Sequence, residues 1–317
     1  MAPPANLRIR IYVPAVLFGV LMAPSASALG AQSSQTLPGC WPREYTVQRD
    51  DSSGILTLST EYYTVQHDFK KGGTISRINY THGKAENLLL QPLASRVQDE
   101  AGTFFDDLHD SEPRFTCRKK DLTVIVTVDC DLVNEQGRAS GVHLKSRYEY
   151  RWGYIKIRKE FHFPADSIPI KELNVLSALL DPSLQDYGYR EGLTEQEGAA
   201  PFAFGICKWG KIRPGASPDS FFATNFIPRY LVFAHHGIEG IEWFESSNLY
   251  QWDLQLTGRR GQGLCRISPH PTPSALAVSI SPLHLEDRSI PLRGVYTFDY
   301  YIGMPILEGL SLIHISE

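Results

Sequence analysis

Tyr154-Ile155-Lys156-Ile157-Arg158-Lys159-Glu160-Phe161-His162-Phe163 sets Ile155, Ile157, Phe161 and Phe163 in alternation with Lys156, Arg158 and His162. A period of two marks a β-strand with one packed and one wet face, because successive side chains leave the pleat on opposite sides. Upstream of Trp152-Gly153, Val142 to Tyr150 reads as a neighbouring strand. Before it, Leu122-Thr123-Val124-Ile125-Val126-Thr127-Val128 is rich in β-branched residues, whose stiff side chains suit a buried pleated surface. Ile55 to Asp68 and Thr74 to Tyr80 are strand-like around Gly72-Gly73, a pair that permits the positive φ of a tight hairpin. Downstream, Asp181 to Ser220 is a loose, glycine-rich excursion of the kind that is functional or mobile. Strands resume at Tyr230 to Ala234, Gly240 to Glu245, Leu276 to Ile280 and Gly294 to Ile302. No long amphipathic helix, internal repeat or low-complexity tract interrupts them. The economical way to house so many half-buried strands is two packed antiparallel sheets, so the fold class is mainly β, a large antiparallel β-sandwich over residues 52–303.

The chain of 317 residues, 42% hydrophobic and 21% charged, is ordinary globular material, which excludes wholesale disorder. A formal charge of −4 provides no electrostatic footprint for a nucleic-acid partner. Arg8 and Arg10, the apolar run Ile11 to Ala23 and the small residues Ala26-Ser27-Ala28 read as a signal peptide over 1–28. The apolar run is too short to span a bilayer and contains Pro14, so after cleavage no membrane partner is expected and the location is secreted or periplasmic. Residues 29–51 read as a polar linker. Five scattered cysteines (Cys40, Cys117, Cys130, Cys207, Cys265) form no Cys-x-x-Cys pair, so they read as small buried hydrophobes, with a Cys117–Cys130 bridge between neighbouring strands as the alternative.

Candidate chemistry concentrates between Asn225 and Asp253, where indoles and carboxylates crowd together. Flat rings cover the apolar face of a pyranose and carboxylates accept hydrogen bonds from its hydroxyls, so Trp243, Glu245, Trp252, Glu242, His235 and His236 are the candidate carbohydrate-binding residues. Core packing is the competing role for Trp243. His235 and His236 are adjacent, would face opposite sides of a strand and have no third ligand at metal spacing, so no metal is expected. No P-loop, dinucleotide fingerprint or nucleophile elbow is present, so no cofactor is expected either. Asp106-Asp107 with Asp110 and Glu112 read as a solvated acidic edge or a weak calcium loop rather than a catalytic dyad.

Three stretches carry a resemblance. Pro228 followed by Gly240-Ile241-Glu242-Trp243-Phe244-Glu245-Ser246 and Trp252 is similar to a stretch of the β-sandwich domains that precede the catalytic barrel of some glycoside hydrolases. Glu61-Tyr62-Tyr63-Thr64-Val65 with Phe69-Lys70-Lys71-Gly72-Gly73-Thr74-Ile75 resembles the opening hairpin of galactose-mutarotase-like supersandwich domains. Tyr296-Thr297-Phe298-Asp299-Tyr300-Tyr301-Ile302-Gly303 with Pro305 resembles the last sandwich strand and its exit toward a barrel. The resemblance implies a carbohydrate-associated sandwich of a secreted glycoside hydrolase, with a downstream catalytic domain as its partner beginning at 304–309. The alternative it implies is a self-contained mutarotase-like or lyase-type enzyme with a His/Glu pair in the sandwich groove, for which Glu239, Glu242 or Glu245 with His235 or His236 are candidates. Leu310-Ser311-Leu312-Ile313-His314-Ile315-Ser316-Glu317 resembles, at every position, the translation of a sequencing-library transposase adapter. On that reading the chain is a fragment whose natural sequence ends near Gly309, and the competing reading is a natural apolar strand.

Overall fold

The computed structural model describes residues 45–60, 63–81, 85–151, 154–181, 184, 186–190, 207–211, 222–224, 230–235, 239–245, 263–270 and 275–303, and the strands between 186 and 245 are described by their backbone pairing. All regular structure among these residues is strand. β1 (Thr46–Asp50), β2 (Ile55–Ser59), β3 (Tyr63–Asp68) and β4 (Thr74–Tyr80) pair in order as an antiparallel meander. The rest form one continuously paired antiparallel system: β5 (Leu89–Asp99), β6 (Phe104–Asp106), β7 (Arg114–Lys120), β8 (Thr123–Val133), β9 (Ala139–Arg151), β10 (Tyr154–Leu180), β11 (Asp186–Arg190), β12 (Cys207–Lys211), β13 (Phe222–Thr224), β14 (Tyr230–His235), β15 (Glu239–Glu245), β16 (Leu264–His270), β17 (Ala275–Ser281), β18 (Leu283–His284) and β19 (Ile290–Gly303).

Alternation becomes burial as expected. β8 buries Val124, Val126, Val128, Cys130 and Leu132, and β9 buries Val142, Leu144, Tyr148 and Tyr150. Each such aliphatic or aromatic side chain contributes about 1.5–3 kcal/mol when removed from water. Rings join the meander to the larger sheet: Tyr45 meets Tyr63 and Tyr150 edge-on at 6.3 and 6.0 Å, and Phe69 meets Phe115 at 4.1 Å.

Some boundaries differ from the sequence reading. Ile55 to Asp68 is two strands, because Tyr63 N donates to Thr60 Oγ1 at 3.1 Å and Thr60 N to Tyr63 O at 2.9 Å, closing a turn. β1 lies inside the stretch read as a linker, held by a full register from Thr46↔Ser59 to Asp50↔Ile55. Leu122 is exposed in the turn before β8, next to Asp121 at φ 52°. Cys117 pairs across from Val126 and Cys130 from Leu144, so they do not face one another, and both are free thiols, as is Cys265. β10 continues past Phe163 to Leu180, exchanging β9 and most of β19 for β5, β17 and β18 across an irregularity at Phe163/Ile168.

Two glycines lock the meander onto the larger sheet. Gly72, at φ 62°, donates its N–H to Asp110 O at 2.9 Å, and a Cβ there would lie 1.9 Å from Asp107 O. Gly73, at φ 64°, leaves a Cβ only 2.9 Å from Val128 Cγ1. Close backbone approach and a left-handed conformation both demand glycine here.

A chain of polar groups runs through the interior behind that turn. Lys159 occupies the inward phase of β10 and is 3% exposed, with Nζ 3.5 Å from Asp107 Oδ2 and donating to Tyr148 Oη at 3.1 Å. Asp107 Oδ1 accepts from Ser95 N at 2.9 Å. The Tyr148 ring packs edge-on against His67 at 4.8 Å. His67 Nδ1 lies 2.8 Å from Gly73 O, which can only accept, so Nδ1 carries the proton and Nε2 accepts from Tyr150 Oη at 2.6 Å. Burial pushes His67 down to about 4 and, against the pull of Lys159, lifts Asp107 to about 6. The acidic stretch is thus not a solvated edge at Asp107, which is completely buried because Lys159 supplies its counter-charge.

Gly72→Ala should cost about 3 kcal/mol or more, since the new Cβ meets a carbonyl oxygen, whereas Gly137→Ala, at φ 78° with nothing within 4 Å, should cost only the ~1–2 kcal/mol of the left-handed backbone. Urea unfolding of both variants checks this, and equal losses would refute the lock. Lys159→Met alone should lose about 3–5 kcal/mol by stranding a buried carboxylate, and the double variant Lys159→Met/Asp107→Leu should recover most of it. A double-mutant cycle showing simple additivity would contradict the pairing.

Candidate functional site

Past its irregularity β10 lies between β5 and β17, and the polar residues of these strands open into a groove of about 360 Å³. Its lining includes Gln91 and Arg96 from β5, Glu172 and Ser177 from β10, Arg266 from β16, Ser279 from β17 and His284 from β18. Glu172 is the hub, only 6% exposed. Its Oε1 accepts from Ser281 Oγ at 2.8 Å, its Oε2 accepts from His284 Nδ1 at 3.3 Å, and Arg96 Nη2 stands 3.7 Å from Oε1. Asn174 donates to Ser279 Oγ at 2.7 Å and to Ser281 Oγ at 3.0 Å, linking β10 to β17 a second time. The Arg96 guanidinium lies over the Phe104 ring, 4.6 Å from its centroid, which fixes its plane.

These contacts set the charges. Burial would raise the Glu172 carboxyl, but the hydrogen bonds from His284 and Ser281 and the charge of Arg96 outweigh it and hold the group below its ordinary 4.5. His284 moves the other way: its bond to Glu172 outweighs desolvation and raises the imidazole above its ordinary 6.5. At mildly acidic pH the groove therefore holds a carboxylate with an imidazolium and a guanidinium. Such a surface can orient hydroxyl and acidic groups through fixed donors and acceptors. Both Glu172 oxygens are engaged, so this carboxylate is a poor general base as it stands.

The backbone architecture matches known structures. No protein-family model matches the sequence, and no curated protein does. Among solved structures, a galactose mutarotase-like protein from Lactobacillus casei aligns with a TM-score of 0.52 at 11% identity, over 80% of this chain and 100% of that one. A GH36 α-galactosidase from Geobacillus stearothermophilus aligns at 0.54 and 9% identity, over 83% of this chain and 41% of that one. The α-galactosidase from Lactobacillus brevis aligns at 0.54 and 10% identity, over 82% and 40%. The chain has the galactose-mutarotase-like sandwich fold. It spans about two fifths of the length of those α-galactosidases.

Within the mutarotase-like sandwich, the described residues among those expected to bind sugar do not share the groove's strands. Glu242, Trp243 and Glu245 lie on β15, at register positions facing Gly303, Ile302 and Tyr300 of β19. Those β19 positions pair in turn with Tyr154, Ile155 and Ile157, at the start of β10 rather than in its Glu172 to Leu179 stretch. His235, on β14, stands across from Glu239. His236 and Trp252 lie outside the described residues. A His and a carboxylate do converge, but they are His284 and Glu172, and the described groove lining contains no aromatic residue. A signal for them existed in Val278-Ser279-Ile280-Ser281, where small hydroxyls alternate with aliphatics, and in Glu172 and Asn174, which alternate with Leu173 and Val175. Among the described residues no group of His, Cys, Asp and Glu is arranged to hold a metal.

The ion pair gives a pH signature. Glu172, held low, adds stability above 4.5 that fades as pH falls through its folded value, and His284, held high, adds stability below 6.5 that fades as pH rises through its own. The melting-temperature advantage of the wild type over Glu172→Gln/His284→Gln should therefore peak between those two values, and a scan from acid to alkaline pH showing a flat difference would contradict the pair.

Proposed function

We propose that this chain is the carbohydrate-binding sandwich of an exported glycoside hydrolase whose catalytic domain lies C-terminal to it. The observation that carries the reading is Glu172, whose two oxygens are occupied by Ser281, His284 and Arg96. A carboxylate so engaged organises a recognition surface and is unsuited to taking a proton from substrate. The α-galactosidases that align over most of this chain, while extending well beyond it, support the same placement. Export rests on the leader-like sequence of residues 1–28. Trp243, Glu245 and Trp252 remain candidates for a further sugar contact through stacking and hydroxyl recognition.

A second reading, a self-contained mutarotase-like enzyme, is favoured by the meeting of His284 with Glu172 and by the full-length match to the Lactobacillus casei protein. Ring opening needs an acid and a base acting at separate oxygens of the sugar, so a His and a Glu bonded to one another would first have to part.

Purified protein should bind galactose-containing oligosaccharides on a glycan array, lose at least about tenfold in affinity on Glu172→Ala, and leave the mutarotation rate of galactose unchanged in a polarimeter. Accelerated mutarotation would overturn the binding role in favour of the enzyme. Trp252→Ala with unaltered binding but a lowered melting temperature would assign that indole to packing.

A further inference from the structure

Arg96 is an arginine with unspent donors. Its guanidinium makes an ion pair with Glu172 at 3.7 Å, too long for a hydrogen bond, and makes no hydrogen bond among the described residues. Its side chain is 31% exposed on the groove, and Phe104 holds its plane. Lysine at this place would offer a point charge, whereas a guanidinium offers a planar fork that matches a carboxylate edge. His284, on the other oxygen of Glu172, and Arg266 in the same lining add to the positive charge, which one carboxylate cannot balance. The groups facing His284 are Glu172 from β10, Arg266 from β16 and Glu286 just after β18, and Arg96 from β5 meets the same Glu172 carboxylate at its other oxygen. Among the described lining residues Glu172 is the only acid. Ser279 and Gln91 supply hydroxyl and amide groups nearby, and the volume suits a small ligand.

We propose that the groove selects an acidic sugar, with the carboxylate of a uronate set against the guanidinium of Arg96 and the imidazole of His284. The proposal rests on the reading of this groove as the glycan site and adds the class of sugar. A neutral hexose would use the hydroxyl-directed groups but leave the excess positive charge uncompensated, and the uronate compensates it with charge-assisted bonds that are about twice as strong as neutral ones.

Isothermal titration calorimetry of the purified full chain with trigalacturonate and with neutral galactotriose tests it. At mildly acidic pH the acidic trisaccharide should bind at least about tenfold more tightly, and the preference should shrink as salt rises and as His284 loses its proton. Arg96→Gln should abolish the preference by weakening the acidic trisaccharide at least about tenfold more than the neutral one, and His284→Gln, which keeps a donor for Glu172, should reduce it, with melting curves confirming that both variants are folded. The wild-type ratio decides by itself if Arg96→Gln does not fold. Equal affinity for the two sugars would overturn the acidic selection and leave the glycan-binding reading standing. Binding of neither sugar would overturn both. Inorganic sulfate competing as well as the trisaccharide would reassign the groove to simple anions and overturn the uronate.

Discussion

The buried pair of Lys159 and Asp107 is the constraint around which this sandwich is built. An ammonium in an apolar layer is costly unless a counter-charge and a hydrogen bond reach it, and here Asp107 and Tyr148 supply them from two different elements. Asp107 reaches Lys159 only because the chain after β6 turns into the interior, and that turn is where Gly72 docks with no room for a side chain. The meander, the β5–β6 segment and β10 are thus held in one mutual arrangement by a polar chain from Gly73 through His67 and the two tyrosines to Ser95. A wholly aliphatic layer could match its stability but would tolerate sliding between sheets. The fixed partners of a charged nitrogen do not.

Charge placement separates the two polar regions of the molecule. Inside, each charge is matched by one opposite charge, and His67 is kept neutral by burial, so nothing is left to attract a ligand. In the groove, the Glu172 carboxylate meets Arg96 and His284 at partial exposure with Arg266 also on the lining, so among the described lining residues positive charge outnumbers negative. The same residue types are therefore fully compensated where water cannot reach them and left with charge in excess where it can.

Alternation in Tyr154 to Phe163, the β-branched run before Val128 and the Gly72-Gly73 turn made the sandwich legible, since each is a local property of the pleat or of φ. Lys159 was not legible as buried, although it sits in phase with Ile157 and Phe161, because its counter-charge comes from Asp107, far away in sequence. The groove was hidden for the same reason: Glu172 meets Ser281 and His284 more than a hundred residues along the chain, and Asn174 meets Ser279 at a similar remove. Local indole density drew attention to β15, whose partner strand β19 meets only the first part of β10. A 27-residue strand that changes partners midway carries no single period over its length, since the irregularity at Phe163/Ile168 resets the phase.

The core pair and the groove are mechanically joined through two neighbouring residues of β5. Asp107 accepts the backbone N–H of Ser95, and the Ser95 hydroxyl donates to Val175 O of β10 at 3.0 Å. Ser95 is completely buried while Arg96, next along the strand, projects to the opposite side and into the groove, as the pleat requires. The position of the guanidinium therefore depends on an interaction that Arg96 itself does not make. On β10 the same anchor lies beside Asn174, which ties the groove's serines to the strand. The groove thus borrows its rigidity from the interior ion pair, so the charged core is part of what positions the groove residues as well as what holds the sheets together.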